Sequence, residues 1–202
     1  MKEVFPITDT SIQLDQKDEI SSGRSRIVYL HPFDDSKIIK INRNDGLQID
    51  YNAKEYEAYE ALSPKARALF VKCYGYVDTN LGKGLMFERI KHYNSDQTRI
   101  YTIQQLIEQK SPLINDELAV KVKDFLDVLT DEKIITHAMQ LGNILVQCLP
   151  NNQVRVLGAD CKIINNKEFI PVSSIFPFLI KCKLRRRAKR CLEPLLAALA
   201  NK

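Results

Sequence analysis

Leu141-Gly142-Asn143-Ile144-Leu145-Val146, with Val154-Arg155-Val156-Leu157 and then Asp160 behind it, reads as a tight loop, two short apolar strands and an acid. Pro150-Asn151-Asn152 supplies the turn between the strands. Such a hairpin returns the chain roughly to where it started. The amide of Asn143 and the carboxylate of Asp160 can then share one divalent cation. The same two residues also read as a turn residue bonding its own backbone and as a cap, and spacing alone leaves both readings open. His137 precedes the loop, where a base, a structural donor and an exposed side chain all remain open to it.

Upstream of this hairpin the pattern is helical. Thr102-Ile103-Gln104-Gln105 opens a helix, with Thr102 as N-cap and Gln105 in the capping-box position. Residues 115–129 form a second, with Leu118, Val122, Phe125, Leu126 and Leu129 on its inner face. Further upstream the chain reads as a small antiparallel sheet with one inserted helix. Its strands are 27–30, 37–41, 70–77 and 85–90, with Phe5, Ile7, Ile12 and Leu14 as an edge strand. Ser21-Ser22-Gly23 is a turn, 42–52 a loop, and 79–84 a second turn. The inserted helix covers 53–69, with Pro64 interrupting or ending its first part. A helix over about 180–200 closes the chain, with Pro194 its weak point.

Two features of the first half carry chemistry. Gly23, among Ser21, Ser22 and Ser25, makes a small turn whose N–H groups can lie close to phosphates, although an ordinary hairpin turn needs nothing more. Lys40 stands between Ile39 and Ile41 in a strand where Lys37 must face the other way. If Lys40 points inward, its ammonium needs a carboxylate partner. Glu55, near the start of the following helix, is the best supplier, with Glu57 and Glu60 as competitors. An edge-strand charge is the simpler reading of Lys40.

Charge is concentrated at one end. The 202 residues carry a formal +5, yet Lys181, Lys183, Arg185, Arg186, Arg187, Lys189 and Arg190 lie within ten positions that hold no acid. Without those seven cations the remainder sums to −2. With Leu184, Ala188, Cys191, Leu192 and Leu195 they form an amphipathic helix. Its charged face suits plain solvation, a nucleic acid, an anionic membrane surface or a protein partner. The longest apolar stretch, 169–180, is broken by Pro171 and Pro177 and is too short to span a bilayer. The five cysteines show no C-x-x-C spacing and read as reduced residues of a cytoplasmic protein, not as a zinc site or a disulfide frame.

The order of these features resembles the PhoP regulatory network protein YrbL family, whose sequences look like a compact, divergent protein-kinase-like fold. The resemblance rests on Gly23-Arg24-Ser25-Arg26-Ile27-Val28-Tyr29 with His31-Pro32, Lys37-Ile38-Ile39-Lys40-Ile41 and Lys54-Glu55-Tyr56 with Tyr59. Tyr74-Gly75-Tyr76-Val77-Asp78-Thr79, Gly82-Lys83-Gly84, Gly142-Asn143-Ile144-Leu145-Val146, Ile170-Pro171 and the basic terminal helix complete it. The resemblance implies an α+β fold as a single kinase-like domain over 1–202. An N-lobe over about 1–91 would hold the small sheet and inserted helix. A reduced, mainly helical C-lobe over about 92–202 would hold the hairpin.

On that resemblance Gly23 stands in the phosphate-covering loop, and Lys40 matches the strand lysine that touches the first phosphates. Glu55 matches its helix partner, Glu88 falls on the adenine side, and Asn143 and Asp160 match the two metal-holding residues. ATP and magnesium are the implied cofactors. The departures are specific. Only one loop glycine is kept, and the catalytic-loop Asp position falls on Ala138, its basic companion on Gln140 and the proline on Leu141. Asp160 is followed by Cys161 and Lys162 instead of Phe and Gly, and 42 residues remain after it. His137 is the one candidate left to replace the missing base. The expected function is a degenerate, pseudokinase-like regulatory protein that binds nucleotide weakly or not at all and works through a protein partner. The alternatives are an atypical ATP- and magnesium-dependent phosphotransferase acting on a small or non-peptide acceptor, and an anionic-surface or nucleic-acid binder led by the terminal helix.

Overall fold

The computed structural model describes residues 11–43, 49–93, 100–162 and 177–201. Phe5 and Ile7 of the expected edge strand, and the Ile170-Pro171 segment, lie outside them. The fold is mixed α+β: an N-terminal sheet with a helix, and a mainly helical C-terminal region with a second sheet. Two compact units divide the chain, one of residues 1–56 and 73–89, the other of 57–72 and 90–202.

The first unit is built on a five-stranded antiparallel sheet. Its strands are β1 (Glu19–Ser22), β2 (Arg26–Leu30), β3 (Lys37–Asn42), β4 (Cys73–Thr79) and β5 (Gly82–Glu88), in the order β1-β2-β3-β5-β4. Ser21 and Ser22 are thus strand residues, not a turn: they pair with Val28 and Ile27, and the bend shrinks to Gly23 through Ser25. The turn expected over 79–84 also tightens, because β4 and β5 pair as far as Thr79 and Gly82 and leave only Asn80-Leu81 between them. Of the expected edge strand, the described residues show one bridge, Ile12 to Thr79.

Strand alternation gives this sheet two different faces. Ile39, Ile41 and Tyr29 turn to one side and cluster with Leu14 in a core ringed by Ile12, Ile27, Val77 and Met86. Gly84 lies beneath that cluster; a Cβ there would sit 2.5 Å from Ile39 Cγ2, so only glycine fits. Lys40 pairs across the strands with Val28 and Leu85, and Asn42 with Arg26, which sets Arg26, Lys40 and Asn42 on the opposite face. Helix α1 (Tyr51–Glu60) begins two residues earlier than expected, so Tyr51 and Asn52 are helical instead of loop. The Asp50 carboxylate accepts the Ala53 N–H and so holds the first turn.

The helix expected over 53–69 is interrupted ahead of Pro64, where α1 has ended at Glu60, and Pro64 starts a second helix in the second unit. Ser63 caps α2 (Pro64–Arg67) by accepting the Ala66 N–H, and proline at the first turn loses no helical hydrogen bond. Helix α3 (Ile103–Glu108) has the Thr102–Gln105 capping box, and α4 (Asp116–Asp131) is capped by Asn115. Leu118, Val122, Phe125, Leu126 and Leu129 are buried along α4. The hairpin of β7 (Ile144–Cys148) and β8 (Val154–Gly158) gains a third strand, β6 (Tyr101–Thr102), which pairs with β7. The chain ends in α5 (Pro177–Ala200), whose Leu184, Cys191 and Leu195 are buried. No helix among the described residues is long and apolar enough to cross a membrane.

Candidate functional site

Each unit holds one of the two clusters picked out by the sequence. In the first, Lys40 and Glu55 meet. The Lys40 ammonium donates to Glu55 Oε1 at 3.0 Å and Oε2 at 3.3 Å, and lies 4.0 Å from the centre of the Phe87 ring. Glu55 is 1% exposed and Lys40 9%, so the pair is out of water. Of the three glutamates named from the sequence, Glu55 is the one whose contact with Lys40 is described. Arg26, not foreseen as part of this cluster, also donates its guanidinium to Glu55 Oε2, so one buried carboxylate receives two cations.

Asn52 locks this arrangement. One helical turn before Glu55, it donates its amide to the Lys40 carbonyl at 2.9 Å and accepts from Arg26 at 3.3 Å. Its own N–H goes to Asn42 Oδ1, and Asn42 in turn donates to Asp50. Burial alone would raise the Asp50 carboxyl, but hydrogen bonds from the Ala53 N–H, Asn42 and the Asn52 N–H, with Lys83 nearby, hold it below its ordinary value. Gly23 is exposed; its N–H reaches the Arg26 carbonyl at 2.9 Å, and its own carbonyl accepts from Arg43 at 2.8 Å. Glu88 ends β5 opposite Lys37 and is half-buried.

The second cluster is the loop read first. Asn143 ends a single 3-10 turn, Leu141–Asn143, and β7 begins one residue after it. Its amide donates to the His137 carbonyl at 3.0 Å, and its carbonyl accepts the Ala159 N–H at 2.9 Å. Asn143 is therefore beside the residue that precedes Asp160, as the hairpin return requires. Asp160 has both carboxylate oxygens engaged by one neighbour. Oδ1 accepts the Lys162 N–H at 3.0 Å, and Oδ2 lies 3.1 Å from the Lys162 ammonium.

Ala138 is fully buried, and its N–H reaches the Thr136 hydroxyl at 3.3 Å. Its methyl would lie 3.0 Å from a Cβ at Gly158, a position where Phe70 leaves room for glycine alone. His137 is half-buried and is tied through its backbone N–H to the Lys162 carbonyl. A hard divalent cation takes about six oxygen ligands. This loop offers it one carboxylate, already paired with an ammonium, and no cluster of three or more His, Cys, Asp or Glu exists among the described residues. A magnesium ion, which takes one or two carboxylates together with water and phosphate oxygens, would have to displace the Lys162 ammonium from Asp160.

On α5, Arg185, Arg186, Lys189 and Arg190 are exposed, whereas Lys181, Lys183 and Arg187 are half-buried. Lys181 lies 3.4 Å from Asp131. All five cysteines are free thiols, and burial pushes Cys191 up to about 11. Arg26, Asn52 and Lys162 are the residues missed in the sequence. Only Arg26 left a trace there, because it alternates with Val28 on the strand next to Lys40.

Comparison with curated proteins finds no relative that matches. The family model for the PhoP regulatory network protein YrbL matches residues 12–199, almost the whole chain, and the chain belongs to that family.

Proposed function

We propose that the chain is a divergent protein-kinase-like regulatory module, its N-lobe and reduced C-lobe forming a single kinase-like domain, that keeps a phosphate-binding element and has lost the means to use it. The observation that carries this reading is the buried Lys40–Glu55 pair. A strand lysine held by a helix glutamate is the arrangement that directs an ammonium at nucleotide phosphates. Gly23 would cover those phosphates and Glu88 would lie on the adenine side, while Asn143 and Asp160 would stand in the cation-holding positions. Ala138 supports the loss of chemistry. A carboxylate in its place would be carried into an apolar, closely packed pocket at a cost of several kcal/mol. A regulatory role then falls to a protein partner.

Calorimetric titration of ATP into the full chain tests this. Binding is expected in the parent and weakened at least about tenfold in Lys40→Met, whose melting curve shows whether it remains folded. A folded parent that takes up no ATP sinks the nucleotide reading. ATP hydrolysis or transfer to a small acceptor, abolished in Lys40→Met, would instead favour the atypical phosphotransferase, with His137 as its candidate base. A second reading is favoured by one observation: four cations of α5 are exposed together, which suits an anionic surface.

A further inference from the structure

We infer that the ammonium of Lys162 takes the place of a divalent cation at Asp160, so that a phosphate ligand of this loop is bound without magnesium. This rests on the kinase-like reading for the role of Asp160 and adds to it the nature of the cation. Both oxygens of Asp160 are served by Lys162, one through the backbone N–H at 3.0 Å and one through the ammonium at 3.1 Å. The two side chains are only 16% and 18% exposed. A pair so withdrawn from water is screened far less than a surface bridge, and a metal ion entering there would have to displace it.

The backbone holds the pair in register. The buried Thr136 hydroxyl donates to the Asp160 carbonyl at 2.9 Å, and the His137 N–H to the Lys162 carbonyl at 3.1 Å. Both ends of the Asp160–Lys162 turn are thus fastened to consecutive residues of the segment that leads into Ala138. A lysine fixed in this way presents its ammonium where a hard cation would otherwise be recruited. Asp160 then acts as a positioning residue for Lys162 instead of as a metal ligand. A glycine at position 162 would supply the same N–H and no charge.

Two arms test the inference on the full chain. In the first, Mn²⁺ alone is the probe, and bound ion is read by electron paramagnetic resonance. Lys162→Ala, and Lys162→Met as the variant that keeps the aliphatic stem, are expected to gain Mn²⁺ affinity at least about tenfold over the parent. Adding Asp160→Asn should remove that gain. Equal Mn²⁺ binding by the parent and both single variants overturns the inference. In the second arm ATP is titrated with EDTA and with excess magnesium. The parent is expected to bind equally in both, and Lys162→Ala only with magnesium. Tenfold tighter binding of ATP by the parent in magnesium also overturns the inference. A parent that binds no ATP in either condition sinks the nucleotide reading, while the Mn²⁺ arm still decides the identity of the cation at Asp160.

Discussion

Glu55 carries more of the first unit than its sequence position suggests. Two cations, Lys40 and Arg26, converge on one carboxylate that is 1% exposed. Removing that carboxylate takes a buried anion from both cations, whereas removing Lys40 leaves Glu55 still paired with Arg26. Glu55→Ala is therefore expected to lower stability to denaturant by about 3–5 kcal/mol, and Lys40→Met by clearly less. Equal losses would mean that Arg26 does not share the pair. Lys40 was legible because a lysine between isoleucines must face one side of the sheet, and a side with a nearby glutamate resolves the cost. Lys162 was not legible. Its role depends on a turn of two residues folding back on Asp160, and no periodicity announces such a turn.

At the scale of elements, periodic and β-branched segments are legible in the sequence, and strands that exist only through pairing are not. Helix α4 shows its apolar stripe over sixteen residues, enough for the 3.6-residue period to stand out. β6 is two residues long and exists only through its pairing with β7; two residues cannot show alternation. The serines of β1 read as turn because their strand comes from pairing with β2, not from propensity. Beside β7 the chain holds a pH-sensitive contact. His92 Nδ1 accepts the Cys148 N–H at 3.1 Å, Tyr93 N–H reaches the Cys148 carbonyl, and Gln147 donates to the Lys91 carbonyl.

Burial lowers His92 below its ordinary 6.5, and an imidazolium could not accept that hydrogen bond. Between 6.5 and the lower folded value, the unfolded chain binds more protons than the folded one, so stability rises with pH there. The contribution is complete above 6.5 and is lost as pH falls toward the folded value. Urea midpoints are expected to fall on acidification through this window, with a smaller fall in His92→Gln. His31, lowered chiefly by burial with Asp34 opposing, contributes with the same sign. An unchanged slope in His92→Gln would assign the whole effect to other groups.

Over the whole molecule the governing asymmetry is charge. Ten consecutive positions hold seven cations, while the rest of the chain is slightly acidic. On α5 the inward stripe of Leu184, Cys191 and Leu195 leaves Arg185, Arg186, Lys189 and Arg190 together on the outer side. Helical spacing places Phe178, 71% exposed, and Leu196, 48% exposed, on that same side. Cations flanked by apolar side chains suit the headgroup region of an anionic bilayer better than they suit a phosphate backbone alone. Sedimentation with vesicles of mixed neutral and anionic lipid should pull the chain down at low salt, and less as salt rises. Each basic residue near such a surface contributes about 1 kcal/mol. Arg185→Ala with Lys189→Ala should thus weaken binding by about thirtyfold, while Phe178→Ser should weaken it without changing the salt dependence. If binding falls equally for vesicles and for DNA, and Phe178→Ser has no effect, the helix is a general polyanion site, and the apolar pair on its outer side has no part in it.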